Sequence, residues 1–499
     1  MILLRQFIPL LLLLIGCSAE LAGQASNEYC ATPPGRSEWL KSYQRAPEDY
    51  AVRSGELLYI PLTIHLVGTD EGKGFFTGEQ LASALCILNE DFLPTDLQFY
   101  ISGDIRYINN STYYRHNFGQ GFQMMESNNV PNTVNCYFVQ DPAGACGYFS
   151  PGADGVAMSK GCSGPNSHTW AHELGHFFSL PHTFSGWEGT DYSPSSTTPE
   201  FINNRRVERM DGSFCNDSGD GFCDTPPDYL SYRWSCNSQN LSGVQQKDPQ
   251  DSTFRSDGTF FMSYASDGCM NRFSEEQTAA MRANIQFQRP GLTTNSFIPD
   301  LISDTLQTAL LAPDSGAVFG NTSLVTLQWE AVAGAIGYAI DFDFYVPFNG
   351  LTINYRSYTT TTNSLTLNDL QSNRTYIWRV RPFGRYDGCT TFSEPRSFSV
   401  GTFVNSTEWE AGDFGLKVFP QPLSASAGPL QISATLPSGG RATLRLINSS
   451  GQVVRTAAFE TRAGINNTSL SADHLSPGFY LLELVCKDGR WVEKVTLAR

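Results

Sequence analysis

The spacing of hydrophobic positions changes several times along the chain, and each change marks an element. Residues 58–67, Leu-Tyr-Ile-Pro-Leu-Thr-Ile-His-Leu-Val, are an apolar, β-rich run that reads as a strand. Leu81, Leu85, Leu88 and Phe92 then recur at helical spacing behind Thr77, which stands at an N-cap position, so 79–92 is expected to be a helix. Residues 97–108 return to strand character through Phe99, Ile101, Ile105 and Tyr107. Strand, helix, strand implies an α/β layer. Further strands are expected at 133–139 and 155–158. Helices are expected at 168–180 and at 275–286, the latter opened by Ser274 and ended by Pro290. Between them, 183–259 is so rich in Ser, Thr, Asp, Gly and Pro that crosslinks, ions or a neighbouring core must hold it.

Beyond a linker at 295–304 the pattern becomes all-β. Residues 306–401 carry short strands about every 8–12 residues, the signature of a sandwich. A second linker, 403–415, leads to another all-β stretch with turn pairs Gly439-Gly440, Ser450-Gly451 and Asp488-Gly489. At the other end, Arg5, the apolar run 7–15 and the small residues after it form a secretory signal, too short and too interrupted for a good membrane span. Ordinary cleavage after Gly23 is the preferred reading, although Leu14-Ile15-Gly16-Cys17 resembles a lipobox. The polar stretch that follows reads as a pro-segment. The expected organisation is therefore a signal peptide (1–23), a pro-segment (24–54), an α/β domain (55–292) and two all-β sandwich modules (306–402 and 416–499).

Composition narrows the function. The 499 residues suffice for two to four domains at roughly 100–200 residues each. With 33 Lys and Arg against 49 Asp and Glu, the net charge is −16. Nucleic-acid binding needs a basic footprint, so that partner is excluded, and an anionic lipid surface is disfavoured. No other stretch approaches 18 apolar residues, so no stable membrane span is expected.

The histidines carry the chemistry. Four of the seven lie between 168 and 182, within His172-Glu-Leu-Gly-His176-Phe-Phe-Ser-Leu-Pro-His182 and just before it. His172 and His176 are one turn apart on one helix face and can both reach a Zn²⁺ ion. The helix must stop near Ser179 for His182 to be the third ligand, and Pro181 helps end it. Three imidazoles leave one position for a water whose pKa the zinc lowers. Glu173 is then placed as general base, passing the proton on to the departing amine of a peptide. His168 reads as a capping or supporting residue.

This motif resembles that of the metzincin zinc endopeptidases, H-E-x-x-H-x-x-G-x-x-H, with Ser179 where that clan has Gly. Phe261-Met262-Ser263-Tyr264 resembles its Met-turn. The resemblance implies that Met262 floors the histidines and that Tyr264 steadies the reacting carbonyl. His182-Thr183-Phe184, Asp224-Thr225-Pro226 and 267–274 are similar to the pappalysin-like (cytophagalysin) peptidases over about residues 55–290. That similarity implies an α/β metzincin-type catalytic domain and a calcium site (Ca²⁺) at Asp217, Asp220, Asp224 and Thr225. It also implies a Cys236–Cys269 disulfide. Cys30, in Tyr-Cys-Ala-Thr-Pro, resembles the pro-segment cysteine of such zymogens, whose thiolate blocks the zinc; Ala31 stands where the family usually has Gly.

Without Cys17 and Cys30, ten of the twelve cysteines remain. Eight fall in the α/β region, where Cys215 with Cys223 and Cys146 with Cys162 are plausible pairs. Cys389 and Cys486 are each single in their modules. Connectivity stays open on sequence alone.

The sequences around Trp329 and Tyr376 resemble a fibronectin type III module, a spacer or docking surface. The segment from Val418-Phe-Pro-Gln421-Pro to the end resembles the C-terminal sorting domain of the type IX secretion system of Bacteroidota, with Gln421 for the usual Asn. That likeness implies export across the outer membrane, to the cell surface or beyond, through the type IX machinery. Together these readings point to a secreted zinc endopeptidase acting on extracellular proteins or peptides. The competing readings are an adhesion protein with structural zinc and a lipoprotein anchored through Cys17.

Overall fold

The computed structural model describes residues 28–52, 55–294, 302, 308–320, 324–344, 348, 355–386, 388–401, 415–424, 428–448, 452–487 and 489–498. The segment expected to be a signal peptide (with Cys17), most of both linkers, residues 450–451 and residue 488 lie outside them. Two compact units divide the chain. The first is Met1–Ser315 with Thr326–Leu367 and Tyr376–Ser397; the second is Gly316–Val325 with Asn368–Thr375 and Phe398–Arg499.

In the first unit the chain runs through β1 (Glu28–Cys30), α1 (Glu38–Arg45), β2 (Leu58–Gly68), α2 (Gly78–Phe92), β3 (Leu97–Ile101) and β4 (Arg106–Asn109). It continues through α3 (Phe118–Asn128), β5 (Val134–Val139), β6 (Ala145–Ser150), β7 (Gly155–Ser159), α4 (Thr169–Phe177) and α5 (Glu275–Phe287). The strands make one seven-stranded sheet in the order β1-β6-β7-β5-β2-β3, with β4 also on β2. The partners of β2 are all parallel to it. Its last nine residues are buried, as a central parallel strand covered on both faces requires. Only β6 and β7 run antiparallel.

Capping fixes two helices where the residues predict. Gln80 N donates to Thr77 Oγ1 at 3.2 Å, and Thr77 N donates to Gln80 Oε1 at 3.0 Å. Ser274 and Gln277 repeat this reciprocal pair at the start of α5. Other elements lacked a periodic signal. β1 and α1 arise in the polar stretch that reads as a pro-segment, where only Leu40 and Tyr43 of α1 are buried. Gly119 and Gly121 weaken the helical signal of α3, which runs unbroken through both, and β6 is short.

Pairs expected for Cys146–Cys162, Cys215–Cys223 and Cys236–Cys269 are present as disulfides. Two other cysteines correct the sequence reading. Cys389 pairs with Cys86, so it is not single, and Cys136 is free and buried in β5. No local sequence signal marks this bridge, because it joins residues 303 apart.

That bridge belongs to a continuous contact on α2. Arg381 donates to the Glu79 carbonyl at 2.9 Å and to Ser83 Oγ at 2.7 Å, and Asn89 donates to the Tyr386 carbonyl at 3.1 Å. The contacting strand, Arg374–Gly384, pairs antiparallel with Ala335–Asp343, which also pairs with Arg356–Thr360. Trp329 and Trp378 are fully buried there.

In the second unit, Gly415–Phe419, Leu430–Leu436 and Gly464–Leu470 form one sheet. Gly440–Asn448, Val453–Thr461, Gly478–Cys486 and Gly489–Ala498 belong to another. Leu430, Ile432, Leu444, Leu446, Leu482 and Leu484 alternate into their shared core. Gln421 bonds to the backbone of the last strand, donating to the Lys494 carbonyl at 2.7 Å and accepting from Thr496 N at 2.9 Å.

Closing a loop this long should stabilise the fold by restricting the unfolded chain. Cys86→Ser with Cys389→Ser is expected to lower unfolding free energy by about 2–4 kcal/mol, read as an earlier denaturant transition. An unchanged midpoint would show that the noncovalent contacts of α2 suffice.

Candidate metal centre

All nine residues of α4 are buried, and the helix packs on β6 and β7. Phe138 meets Trp170 edge-on at 5.0 Å between ring centroids, and Phe149 meets Phe177 at 5.6 Å. These contacts turn one helix face toward the sheet and fix the direction of the histidines.

The helix ends in a Schellman turn. Ser179 N donates to the His176 carbonyl and Leu180 N to the Gly175 carbonyl, each at 2.9 Å. Ser179 has φ 76°, the left-handed conformation that such a turn requires and that Gly adopts without strain. Asn284 Nδ2 donates to Ser179 Oγ at 3.0 Å and offsets part of that strain. The turn brings His182 back beside the helix and aims the Leu180 carbonyl at His176.

Two of the histidines are oriented by a carbonyl acceptor at Nδ1, and the Nδ1 of the third faces a carboxylate. His172 Nδ1 lies 2.7 Å from the Phe261 carbonyl, His176 Nδ1 lies 2.8 Å from the Leu180 carbonyl, and His182 Nδ1 lies 3.6 Å from Glu188 Oε1. A proton on Nδ1 of His172 and His176 leaves their Nε2 lone pairs pointing inward, toward Nε2 of His182. His176 Nε2 is 3.2 Å from His172 Nε2 and 3.1 Å from His182 Nε2. Lone pairs so close repel one another unless a cation lies between them. Tetrahedral bonds of about 2.0–2.1 Å would separate ligand nitrogens by about 3.3 Å. The donor set therefore fits a zinc ion. Burial keeps His172 and His176 well below the ordinary imidazole range, the neutral form that a ligand needs.

Cys30 completes the cluster. Its Sγ lies with one ring nitrogen of each histidine in a group whose ligand atoms are all within 4.8 Å of one another. The segment that carries it is a strand on the sheet edge, with Cys30 in register with Gly147 of β6. Glu173 is fully buried, and its Oε2 accepts from Thr32 Oγ1 at 3.0 Å and from Cys30 Sγ at 3.6 Å. Its Oε1 is buried without a partner. Burial pushes the Glu173 carboxyl up to about 8, against the pull of the Cys30 and Thr32 hydrogen bonds. Tyr264 Oη donates to the Cys30 carbonyl at 2.8 Å, and its ring stands edge-on to His182 at 4.9 Å.

Met262 is fully buried beneath the helix, against Gly175. A Cβ at Gly175 would strike the Met262 sulfur, so the glycine in His-Glu-Leu-Gly-His makes this approach possible. Gly147 does the same for Glu173, whose Cγ and Oε1 lie 2.8 Å from where a Cβ would stand. Thr32, Gly147 and Gly175 carried no periodic or spacing signal of their own.

Asp228, also missed, links the loops around the centre. Its Oδ2 accepts from Thr183 Oγ1 at 2.8 Å and from Ser263 Oγ at 3.1 Å; its Oδ1 accepts from Ser256 Oγ at 2.6 Å. Thr183 follows His182 and Ser263 follows Met262, so one buried carboxylate ties the third histidine to the turn beneath it. His168 supports the helix from outside, with Nδ1 at 2.8 Å from Asp91 Oδ2.

The residues read as a calcium site lie elsewhere. Asp220 is buried, and its Oδ1 accepts from Phe222 N at 3.0 Å and Thr225 Oγ1 at 2.9 Å. Asp224 Oδ2 accepts from Glu276 N at 2.8 Å, docking the loop on the start of α5. Asp217 is exposed. Among the described residues these carboxylates do not form a three-residue metal-ligand cluster.

Comparison with known proteins agrees with the chemistry of the histidine cluster. Residues 417–498 match the family model of a secretion system C-terminal sorting domain. The chain is similar to an extracellular metalloprotease of Colletotrichum graminicola, 26% identical over 297 residues that cover 53% of this chain and 91% of that protein. An extracellular metalloprotease of Uncinocarpus reesii is 25% identical over 300 residues, covering 55% of this chain and 94% of that protein. Chicken CNTN1 FN1–FN3 domains match 39% of this chain and 66% of theirs at 15% identity, with a TM-score of 0.15, too low to assign a fold.

Asp228→Ala should leave three buried hydroxyls without their acceptor and destabilise the first unit by about 2–4 kcal/mol in denaturant titration. Asp228→Asn, which keeps one acceptor oxygen, should cost less. Equal, small effects would mean that Asp228 does not hold these loops.

Proposed function

We propose that the protein is a secreted zinc-dependent endopeptidase of the metzincin, pappalysin-like type, held latent by its residues 29–36 and exported by type IX secretion. The convergence of three Nε2 atoms beside a buried glutamate carries this reading. The similarity to extracellular metalloproteases and the sorting-domain match support it.

His172, His176 and His182 would hold the ion, which when bound supplies an activated water and a polarised peptide carbonyl. Glu173 takes the proton from the attacking water and returns it to the leaving amine. The Thr32 and Cys30 hydrogen bonds to Oε2 and the packing against Gly147 hold that carboxylate in place in the precursor. Tyr264 donates to the Cys30 carbonyl, and the same hydroxyl is placed to donate to a substrate carbonyl as negative charge develops there. Substrates are extracellular proteins or peptides that bind extended, as β1 does on the edge of β6.

Latency follows from the same contacts. Cys30 is within reach of the fourth ligand position, Thr32 occupies the Glu173 oxygen, and the Cys30 carbonyl occupies Tyr264. All three catalytic features are engaged by the segment between Tyr29 and Thr32.

Glu173→Ala in the processed protein should lower peptide cleavage by about 10²–10⁴-fold while zinc stays bound, as read by metal analysis beside a casein assay. A chelator should abolish the wild-type activity. An active Glu173→Ala protein, or cleavage indifferent to the chelator, would refute the proposal.

Cys30→Ser should give a precursor that cleaves earlier and at lower concentration, followed by mass spectrometry of its own processing. Unchanged latency would remove the thiol from the account.

A further inference from the structure

Tyr29 fills a pocket beside the histidines that the chemistry above does not use. The residue is 7% exposed. Its ring stands edge-on to His172 at 5.1 Å and to Tyr264 at 5.4 Å. The Arg233 guanidinium lies over its face, 3.8 Å from the centroid, and its hydroxyl lies 3.9 Å from Met270 Sδ.

The guanidinium is held independently of Tyr29. Arg233 Nη2 donates to Asp267 Oδ2 at 2.6 Å, and Nη1 donates to the Ala265 carbonyl. Asp267 Oδ1 in turn accepts from His168 N at 3.0 Å. Arg233 thus presents a flat, charge-partnered face with its edge groups committed. A planar ring gains from that face and from the edges of His172 and Tyr264. A basic side chain would meet Arg233 and find Asp267 already paired. A small side chain would leave the pocket part empty.

The backbone places this pocket next to the reacting centre. β1 lies extended on β6, and alternate side chains of an extended strand face opposite ways. Cys30 therefore faces the histidines while Tyr29 enters the pocket. A substrate bound extended along the same edge presents a side chain there too.

We propose that this pocket, formed by His172, Arg233, Tyr264, Asp267 and Met270, is a substrate subsite that selects an aromatic residue adjoining the scissile bond. The proposal rests on the peptidase reading, and two measurements separate them. The first uses the processed protein, shown by mass to lack residues 24–54, on a peptide library. Tyr and Phe should be favoured over Ala and Arg by about tenfold or more at one position adjoining the cleaved bond. Cleavage with a flat or basic preference at both adjoining positions would overturn the subsite.

The second reads binding without turnover. Peptides of residues 29–36, all carrying Cys30→Ser to silence the thiol, are titrated calorimetrically into zinc-loaded, processed Glu173→Ala protein. The Tyr29 peptide and its Tyr29→Phe form should bind at least about tenfold more tightly than Tyr29→Ala or Tyr29→Arg. Equal or tighter binding of the Ala or Arg peptide would overturn the subsite. Preserved binding order without library cleavage would leave an aromatic-selective pocket but overturn its assignment to a substrate, together with the peptidase reading.

Discussion

Three imidazole nitrogens turned toward one point, with their outer nitrogens facing acceptors, are the constraint on which the first unit depends. Such an arrangement is repulsive by itself. It persists because carbonyls of Phe261 and Leu180 hold two rings from behind and Glu188 faces the third. Each acceptor lies in a different piece of chain, so the loops must be as well fixed as the helix. The Schellman turn at Ser179 supplies Leu180, the turn around Met262 supplies Phe261, and Asp228 joins the second of these to the chain after His182. A cation at the centre would convert the repulsion into the strongest local attraction and bind these pieces together.

The same centre organises the N-terminal segment. Cys30, Thr32 and the Cys30 carbonyl meet the histidine cluster, Glu173 and Tyr264 over three consecutive residues. An edge strand makes this compact, because sheet register sets which atoms face inward. The glycines enable it: Gly147 in β6 leaves room for Glu173, and Gly175 in α4 leaves room for Met262. On the far side, α2 bears Asp91 against His168 and also carries Cys86, bonded to Cys389. One helix thus joins the support of α4 to the paired strands Ala335–Asp343 and Arg374–Gly384.

Periodic elements were readable from the chain, and contacts between distant residues were not. β2, α2 and α5 declare themselves through apolar spacing and capping boxes. The histidine motif is legible because its chemistry demands fixed local spacing, and the stop of its helix near Ser179 was readable for the same reason. β1 was hidden, since three residues have no period and its pairing partner is more than a hundred residues away. Cys86 and Cys389 were hidden for the same reason. Asp228 is a buried acid that looks like any loop aspartate until the fold gathers its partners. The calcium expectation came from the family resemblance at Asp224-Thr225-Pro226; in the structure Asp224 accepts from the start of α5 and Asp220 accepts from Thr225.

In the proposed precursor His172, His176 and His182 bind one zinc ion and Cys30 closes its coordination. X-ray absorption at the zinc edge of the full-length secreted precursor tests it most directly. The account predicts one zinc per chain with about three nitrogen ligands at roughly 2.0–2.1 Å and about one sulfur at roughly 2.3 Å. A precursor without stoichiometric zinc, or a zinc shell without imidazole nitrogens or without sulfur, would contradict it.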